Sequence, residues 1–447
     1  MKTNSNPFRF IIALLSLGTC ATAQTPATLV SFNGGNGANP QAGLVASGCT
    51  LYGTTYAGGS SSVGTVFSVN TNGNNFTNLY NFNGATYNTN TGTFVPADGA
   101  NPAGGLVLSG NMLYGTTSSG GSSDEGTVFA INTNGGGYAI LYNFSGGADG
   151  AEPEAGLVLM GNTLYGTTFN GGQYGGGSVF RVNTDGTAFT NIHSFSGANG
   201  ANPQAALVLS GNTLYGTTSA GGSSGNGMVF RVNTDGSSPS NVYNFTGGAD
   251  GANPEAGLVL SGGTLYGTAN GGGNFLGTVF KVNTNGGFSS YVFNGTDGAN
   301  PQAGLLLLGN MLIGTAVNGG GPGWGTVFQV NTSGGGFTNV YTFTGGADGA
   351  NPEAGLLLLG NTLYGTTQTA DYGSGDGTVF ALPAPVLSIL LNIALQGGHV
   401  TLSWSNAAFS LQSATNVAGV YTNVSGATSP YTNAITGRQQ FFRLQEN

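Results

Sequence analysis

The segment DGANPEAGLVLSGGTLYGTANGGGNFLGTVFKVNTNGG, residues 250–287, holds three short runs of β character, AGLVLSG, TLYGTA and GTVFKVNT. Clusters of glycine, asparagine and aspartate that read as turns set them apart, and a fourth run of the FTNLYNF type follows. The proline of this segment, Pro254, recurs at Pro40, Pro102, Pro153, Pro203, Pro301 and Pro352, with spacings of 62, 51, 50, 51, 47 and 51 residues along the chain. Four strands in ~50 residues, repeated seven times, is the period of a β-propeller blade in the kelch size class. The expected fold is all-β, a seven-bladed β-propeller over residues 24–383.

The order of strand types adds a test. The GTVF-type strand occurs seven times, at Val66, Val128, Val179, Val229, Val279, Val327 and Val379, and so does the LYNF type if LVSF at 29–32 is counted. The chain begins on the fourth type and leaves its last repeat on the third, at GTVFAL (377–382). Residues 29–32 are therefore expected to complete the seventh blade, which ties the ring shut and removes exposed sheet edges. A ring of this kind also outgrows the usual single core, because each blade need pack only on its two neighbours.

Composition excludes several classes of function. Of 447 residues 85 are glycine, 5% are charged and 39% are hydrophobic, with a net charge of -9. The apolar and aromatic residues are spread evenly, so the chain folds rather than staying disordered. A surface poor in lysine and arginine offers little to phosphates, so neither nucleic acid nor an anionic membrane surface is an expected partner.

Topology assigns loops to faces. With AGLVL innermost and LYNF outermost, each DGANPEA connection runs from the rim of one blade to the centre of the next. It emerges on the same face as the loop after LYGTT, whereas the opposite face has only the tight turns SGN and NTDGG. The variable loops of the first face carry Tyr56, Phe169, Tyr174, Phe275, Trp324 and Tyr372, and an insertion at 85–99 adds Tyr87 and Phe94. Aromatic rings beside carboxylates and amides can stack on sugar faces and hydrogen-bond hydroxyls, which makes these loops a candidate glycan site. The alternative is that the rings only cover glycine-rich loops or fill gaps between blades. Trp324, in GGGPGWG, is the leading single candidate because such a loop offers little to bury it.

The acidic residues of the connections need the same weighing. Equivalent positions read Asn36/Gln41, Asp98/Ala103, Asp149/Glu154, Asn199/Gln204, Asp250/Glu255, Asp297/Gln302 and Asp348/Glu353. Two copies have no acid there, whereas aspartate and asparagine share the ability to form side-chain turns, with proline after an extended residue stiffening the connection. A structural turn explains all seven positions. Asp149, Glu154, Asp250, Glu255, Asp348 and Glu353 remain candidates for ligand contact, but the segment lacks the alternation of a calcium loop, so no metal and no cofactor are expected. Catalysis by a carboxylate pair needs two acids in different environments, and here one pair is repeated around a ring. No catalytic residue is assigned.

Other candidates read as structural. His193 stands where sister repeats have Tyr80, Tyr142 and Tyr243 and is expected to pack on a strand. Arg181 and Arg231 occur in the two repeats whose turns carry Asp185 and Asp235, while Lys281 faces Asn285, so local ion pairing or recent duplication, rather than an anion site, is the expected reason for them. No phosphate loop, zinc spacing or nucleophile elbow is present.

The N-terminus has the pattern of an export signal over residues 1–23: Lys2 and Arg9, the apolar run FIIALLSLG, and ATA before Gln24. Its removal would take two cations, shifting the charge from -9 to -11. Cys20 would leave with it unless lipidated, although LGTC is a poor lipidation motif. Cys49 would then be the single cysteine, so no internal disulfide is expected. Beyond LPAPV the repeat stops, and residues 384–447 read as a small sandwich-like β module with Trp404, Phe409, Phe441 and Phe442 as core. It has no apolar run of ~20 residues that would span a membrane.

The ordered recurrence of GxLYGTT, GTVFxVN and DGANPxAGL over about residues 28–383 resembles the GloVer tandem repeat of bacterial secreted proteins, the choice-of-anchor class. LQSATNVAGVYTNVSGATSPYTNAITGRQQFFRL (411–444) resembles a C-terminal module of secreted proteins from Verrucomicrobia-like bacteria. The resemblance implies export and a propeller-like fold, and brings no catalytic residues. The expected function is a secreted or cell-surface, non-catalytic binding module, monomeric, with a glycan or a surface protein as partner. Alternatives are a purely structural surface repeat and a glycan-active enzyme using acids of the loop face.

Overall fold

The computed structural model describes residues 26–84, 86–88, 93–95, 98–373 and 375–385, and beyond these 392–396, 399–403, 409–414, 422–425, 427–434 and 441–446. The expected signal segment, with Cys20, and Trp404 lie outside the described residues, as do the side chains of Tyr87, Phe94, Phe409 and Phe441.

Seven four-stranded antiparallel sheets form the blades of a β-propeller. Blade 3 shows the pattern, from the inner strand outward: Val158–Met160, Thr163–Thr168, Ser178–Asn183 and Thr190–Ser194. Leu164 faces Val182 and Gly166 faces Phe180 across the two middle strands. These middle strands lie between neighbouring sheets and are buried on both faces, which is why they read as continuous apolar runs rather than alternating ones.

The seventh blade closes as expected. Its outer strand is Ala27–Ser31, antiparallel to Thr378–Pro383 with Ala27 opposite Ala381 and Ser31 opposite Thr378. The strand starts two residues earlier than LVSF, and Phe32 just past its end is buried.

The same set of contacts recurs at every seam between blades. A phenylalanine following each outer strand meets, edge to face, the third-strand phenylalanine of the next blade. The seven pairs, from Phe82–Phe129 through Phe343–Phe380 to the closing pair Phe32–Phe67, have centroids 5.0–5.3 Å apart and planes at 65–78°. Such pairs add ~0.5–1.5 kcal/mol each beyond the area they bury. Deeper in, the second-strand threonine of each blade donates to a carbonyl of the following blade, as Thr116 does to Ala155 (2.9 Å) and, across the closure, Thr366 to Ala42 (3.3 Å).

Around the axis the blades touch backbone to backbone. A Cβ added to Gly156 would lie 3.0 Å from the Gly105 carbonyl oxygen, one on Gly355 3.3 Å from that of Gly304, and one on Gly43 3.3 Å from that of Gly355. The small residue of each AGLVL run thus sets how closely the inner strands converge.

One local expectation is corrected. The residue before each connecting proline is not extended: Asn39, Asn101, Glu152, Asn202, Asn253, Asn300 and Asn351 have φ of 52–57°. Asparagine tolerates this left-handed conformation, and its amide reaches the loop of the preceding blade, as Asn101 Nδ2 does to the Tyr56 carbonyl (3.1 Å) and Asn253 Nδ2 to that of Ser219 (2.9 Å). Glu152 departs from the set and accepts from Asn170 Nδ2 (2.7 Å) instead.

Of the two readings of the arginines, local ion pairing is corrected as well. Asp185 is capped by Thr187 and Asp235 by Ser237 within their own turns, and the Arg181 charge reaches Asp235 of the following blade. Lys281 Nζ likewise donates to the Thr332 carbonyl of the next blade (3.0 Å) rather than facing Asn285. A third-strand side chain at this position leans across the seam, a direction that sequence distance alone hides.

The described C-terminal residues form two three-stranded sheets. One comprises Asn392–Gln396, His399–Ser403 and Tyr431–Ala434, the other Thr422–Asn423, Phe409–Ala414 and Phe441–Glu446. Buried Leu402 and Leu411 pack with Val424, Ala427, Tyr431 and Phe442. Among the described residues no helix is long and apolar enough to cross a membrane.

Candidate functional site

Bridges between the two sets of connections define the loop face. Ala151 pairs with Asn170, Ala252 with Gly271, Ala299 with Asn318 and Ala350 with Thr369. The DGANP segments and the loops after LYGTT therefore emerge side by side, as the topology of the sequence implies.

The first acid of each connection is tied down by its own blade rim. Asp250 accepts from the Tyr243 phenol (3.0 Å), the Thr246 amide (2.8 Å) and the Thr246 hydroxyl (2.6 Å). Asp149 is held in the same way by Tyr142 and Ser145, Asp348 by Tyr341 and Thr344, Asp98 by Tyr80 and Asn83, and Asp297 by Tyr291 and Asn294. Burial opposes ionisation of Asp250, but the Thr246 donors hold its carboxyl below the usual range. Burial, with the adjoining carboxylate, pushes the Tyr243 phenol up to about 12, so it stays a donor.

The two repeats without an acid explain themselves. Where the rim residue is His193 the turn carries Asn199, with Asn199 Nδ2 3.3 Å from His193 Nε2; where it is Val30, which has no polar side chain, the turn carries Asn36, which donates to the Ser31 carbonyl (3.3 Å). Aspartate appears where a tyrosine phenol needs an acceptor. This covariation was available in the sequence, in residues six or more apart, and the sequence reading missed it.

The second position of the connection behaves differently. Gln41, Glu154, Gln204, Glu255, Gln302 and Glu353 are half-buried, each two residues before the small residue that lines the axis. They touch from blade to blade: Gln204 Nε2 donates to Glu154 Oε2 (3.1 Å), and Glu255 accepts from Asn270 Nδ2 (3.0 Å) and from Gln302. Burial raises all three glutamates above the ordinary carboxylate range. For Glu154 and Glu353 the charge of Glu255 adds to the effect, and Glu353 rises to about 7. The mouth of the axis is thus a belt of amides and half-buried carboxyls whose charged form burial disfavours, with donors and acceptors for hydroxyl groups and, among the described residues, no cation to hold an anion. Among the described residues no group of three or more His, Cys, Asp or Glu side chains could hold a metal ion.

The aromatic candidates separate into two groups. Tyr174, Phe275 and Tyr372 are 61%, 88% and 71% exposed, whereas Tyr56, Phe169 and Trp324 are half-buried. Trp324 is less exposed than its loop suggests, because its indole lies over Gly345, where an added Cβ would sit 2.6 Å from the ring, and meets Tyr372 edge on at 6.3 Å. The covering element belongs to the next blade's connection, so the tryptophan's own loop gave no sign of it. Phe275 and Tyr372 also sit at φ of 70° and 57°, a conformation that costs an L-residue ~1–2 kcal/mol. The three exposed rings belong to blades 3, 5 and 7, whose connections carry Glu154, Glu255 and Glu353.

The model of the Gloeobacter/Verrucomicrobia repeat matches residues 16–160, 85–280 and 268–403, which together span most of the chain. The chain belongs to this repeat family. No curated protein matches it. Among solved structures, the Gloeobacter/Verrucomicrobia repeat protein is similar to a Bacteroides fragilis protein provisionally described as a 6-phosphogluconolactonase, at 16% identity and a TM-score of 0.46 over 88% of this chain and 97% of that one. A Bacteroides uniformis protein described in the same way shows 16% identity and a TM-score of 0.40 over 88% and 98%, and a chain of a nidogen/laminin complex 15% and 0.39 over 61% and 87%. Overlaps this loose carry no argument about the activity of the repeat protein.

Proposed function

We propose that this chain is an exported, non-catalytic binding module whose loop face takes a neutral, polyhydroxylated ligand with the chemistry of a glycan. The observation that carries the reading is the coincidence, in blades 3, 5 and 7, of an exposed ring with a half-buried glutamate at the axial mouth: Tyr174 with Glu154, Phe275 with Glu255, and Tyr372 with Glu353. Each ring offers a stacking surface, each neighbouring amide offers both donor and acceptor to a hydroxyl, and each carboxyl offers an acceptor. Exposed apolar rings held in left-handed backbone lower the stability of the free protein, and such strain clusters where a ligand is met. The aspartates are already committed to tyrosine phenols and turn amides, so the glutamates and glutamines are the polar contacts of this reading. Export rests on the pattern of residues 1–23.

A glycan array probed with purified residues 24–447 tests the proposal. A hit competed by the free oligosaccharide and lost on Phe275→Gly supports it. An array without hits across plant, animal and microbial polysaccharides favours a structural surface repeat, and release of shortened products from any of them would turn the reading toward an enzyme.

A further inference from the structure

The outer layer of the ring contains a second aromatic arrangement, and one seam breaks it. At four seams the rim tyrosine of one blade stacks on an aromatic residue that precedes or opens the outer strand of the next. The pairs are Tyr80–Tyr138, Tyr142–Phe189, Tyr243–Phe288 and Tyr291–Phe337, with centroids 3.6–4.6 Å apart and planes within 5–8°. The second ring of each pair also lies over the third-strand phenylalanine of its own blade, as Phe189 does over Phe180 at 5.8 Å and Phe337 over Phe328 at 5.3 Å. Each such seam is a three-ring sandwich.

Between blades 3 and 4 both sequence partners change. The tyrosine is His193, whose ring keeps the same edge-on seat against Phe195 (4.8 Å, 86°) that Tyr142 keeps against Phe144. The middle ring is replaced by Pro239, which precedes Ser240 as Phe189 precedes Thr190. A cavity of about 110 Å³ results, lined by His193, Asn199, Phe230, Arg231 and Pro239 among others, and a second of about 290 Å³ adjoins it at Arg231, Ser240 and Asn241. The seam also lacks a rim latch. Asn191, Ser290 and Asn339 donate to carbonyls of the preceding connection, at Ala148, Ala249 and Thr296, whereas the equivalent Asn241 side chain is exposed and makes no hydrogen bond among the described residues. Arg231 too is exposed and, among the described residues, makes no hydrogen bond or ion pair. Blade 7 also carries a proline at the ring position, Pro26, but there the rim keeps Tyr341 and the latch from Thr28 to the Ala347 carbonyl (2.8 Å).

We propose that the seam between blades 3 and 4 is a binding site for a small aromatic carboxylate, its ring seated between His193 and Phe230 where sister seams hold a phenylalanine, and its carboxylate on the Arg231 guanidinium. The flanking blades keep the spacing of a seam that does hold the ring, since the Phe195–Phe230 pair beneath the slot has centroids 5.0 Å apart against 5.2 Å for Phe144–Phe180. A cavity with apolar and aromatic walls left by a missing side chain accepts the missing group as a guest. The charge at its edge selects an anionic substituent, and a free guanidinium matches a carboxylate in two-point geometry. The site lies at the outer seam, away from the axial belt, and does not depend on a glycan function.

Benzoate is the probe, with benzyl alcohol and cyclohexanecarboxylate as comparisons lacking the charge or the planar ring, each titrated against residues 24–447 by ligand-observed NMR and by thermal shift. Benzoate is expected to bind in the millimolar range usual for so small a ligand and to raise Tm. Both comparisons should bind more weakly. Pro239→Phe supplies the missing ring and should abolish benzoate binding while keeping or raising Tm. Arg231→Gln, at an exposed position, should leave Tm unchanged and weaken benzoate by about tenfold or more. No binding to the unaltered chain, or binding that survives Pro239→Phe or is indifferent to Arg231→Gln, overturns the assignment. Should Pro239→Phe fail to fold, Pro239→Leu with Arg231→Gln as partner carries the same test.

Discussion

If the ring is closed by its N-terminal strand, then Phe32, which arrives from the far end of the chain, should matter as much as a phenylalanine in the middle of it. Phe32 is buried, meets Phe67 edge on at 5.3 Å and Phe76 at 6.0 Å, and its amide donates to the Gly377 carbonyl (3.0 Å). Phe195, at an interior seam, meets Phe230 at 5.0 Å in the same way. Replacing a fully packed phenylalanine by alanine costs ~3–5 kcal/mol through lost burial and the cavity left behind. For a cooperative unit of ~360 residues, with an unfolding entropy of ~2.1 cal/mol/K per residue, that lowers Tm by about 4–7 °C. Phe32→Ala and Phe195→Ala should therefore lower Tm by similar amounts in differential scanning fluorimetry. Deleting residues 24–34 should go further, exposing the edge of Thr378–Pro383 and driving oligomers on size exclusion. A Phe32→Ala protein that loses less than a third of what Phe195→Ala loses, with a truncated chain that stays monomeric and melts unchanged, would show that the ring does not depend on this strand.

Three further outcomes follow from named contacts. Glu152→Asn should stabilise the protein by ~1 kcal/mol, because asparagine tolerates the left-handed φ of 54° and can reach the Ser118 carbonyl as its sisters reach theirs; a lower Tm would refute the clamp. Burial gives Glu353 a folded-state pKa of about 7, above its ordinary value, so its contribution favours folding at low pH and is lost as pH rises from the unfolded value through 7. Glu353→Gln should accordingly raise Tm at pH 8 and not at pH 4, and equal shifts at both would contradict the burial argument. Asp250→Ala, which strands the Tyr243 phenol and the Thr246 amide, should cost ~1–3 kcal/mol by thermal or urea unfolding, while the same change at Asp185, exposed on the opposite face, should cost far less.

Much of this architecture was legible because repeats state their own grammar. The seven prolines gave the blades, and the mismatch between the first and last strand types gave the closure before any contact was known. Reading the DGANP aspartates as turn residues needed only the two asparagine copies at 36 and 199. What escaped is whatever one blade does to the next. The left-handed asparagines owe their residue type to a carbonyl of the preceding blade, and Trp324 owes its cover to Gly345 of the following connection. Arg181 and Lys281 lean across a seam that a single repeat does not contain. The axial belt was hidden for the same reason. Glu154 and Glu353 read as halves of acid pairs along the chain, but their second neighbours are glutamines and glutamates one or two blades away.

The most direct test of the proposed function removes the three exposed rings without touching the core. Tyr174→Ala, Phe275→Gly and Tyr372→Gly together delete the stacking surfaces of blades 3, 5 and 7, and the two glycines relieve the left-handed strain at 275 and 372. Titration calorimetry of the unaltered and triply substituted chains against the best array ligand should find binding lost by at least tenfold, about 1.4 kcal/mol, with Tm equal or higher in the variant. Unchanged affinity in a variant that melts normally would place the ligand elsewhere and contradict the reading of the loop face as a stacking surface.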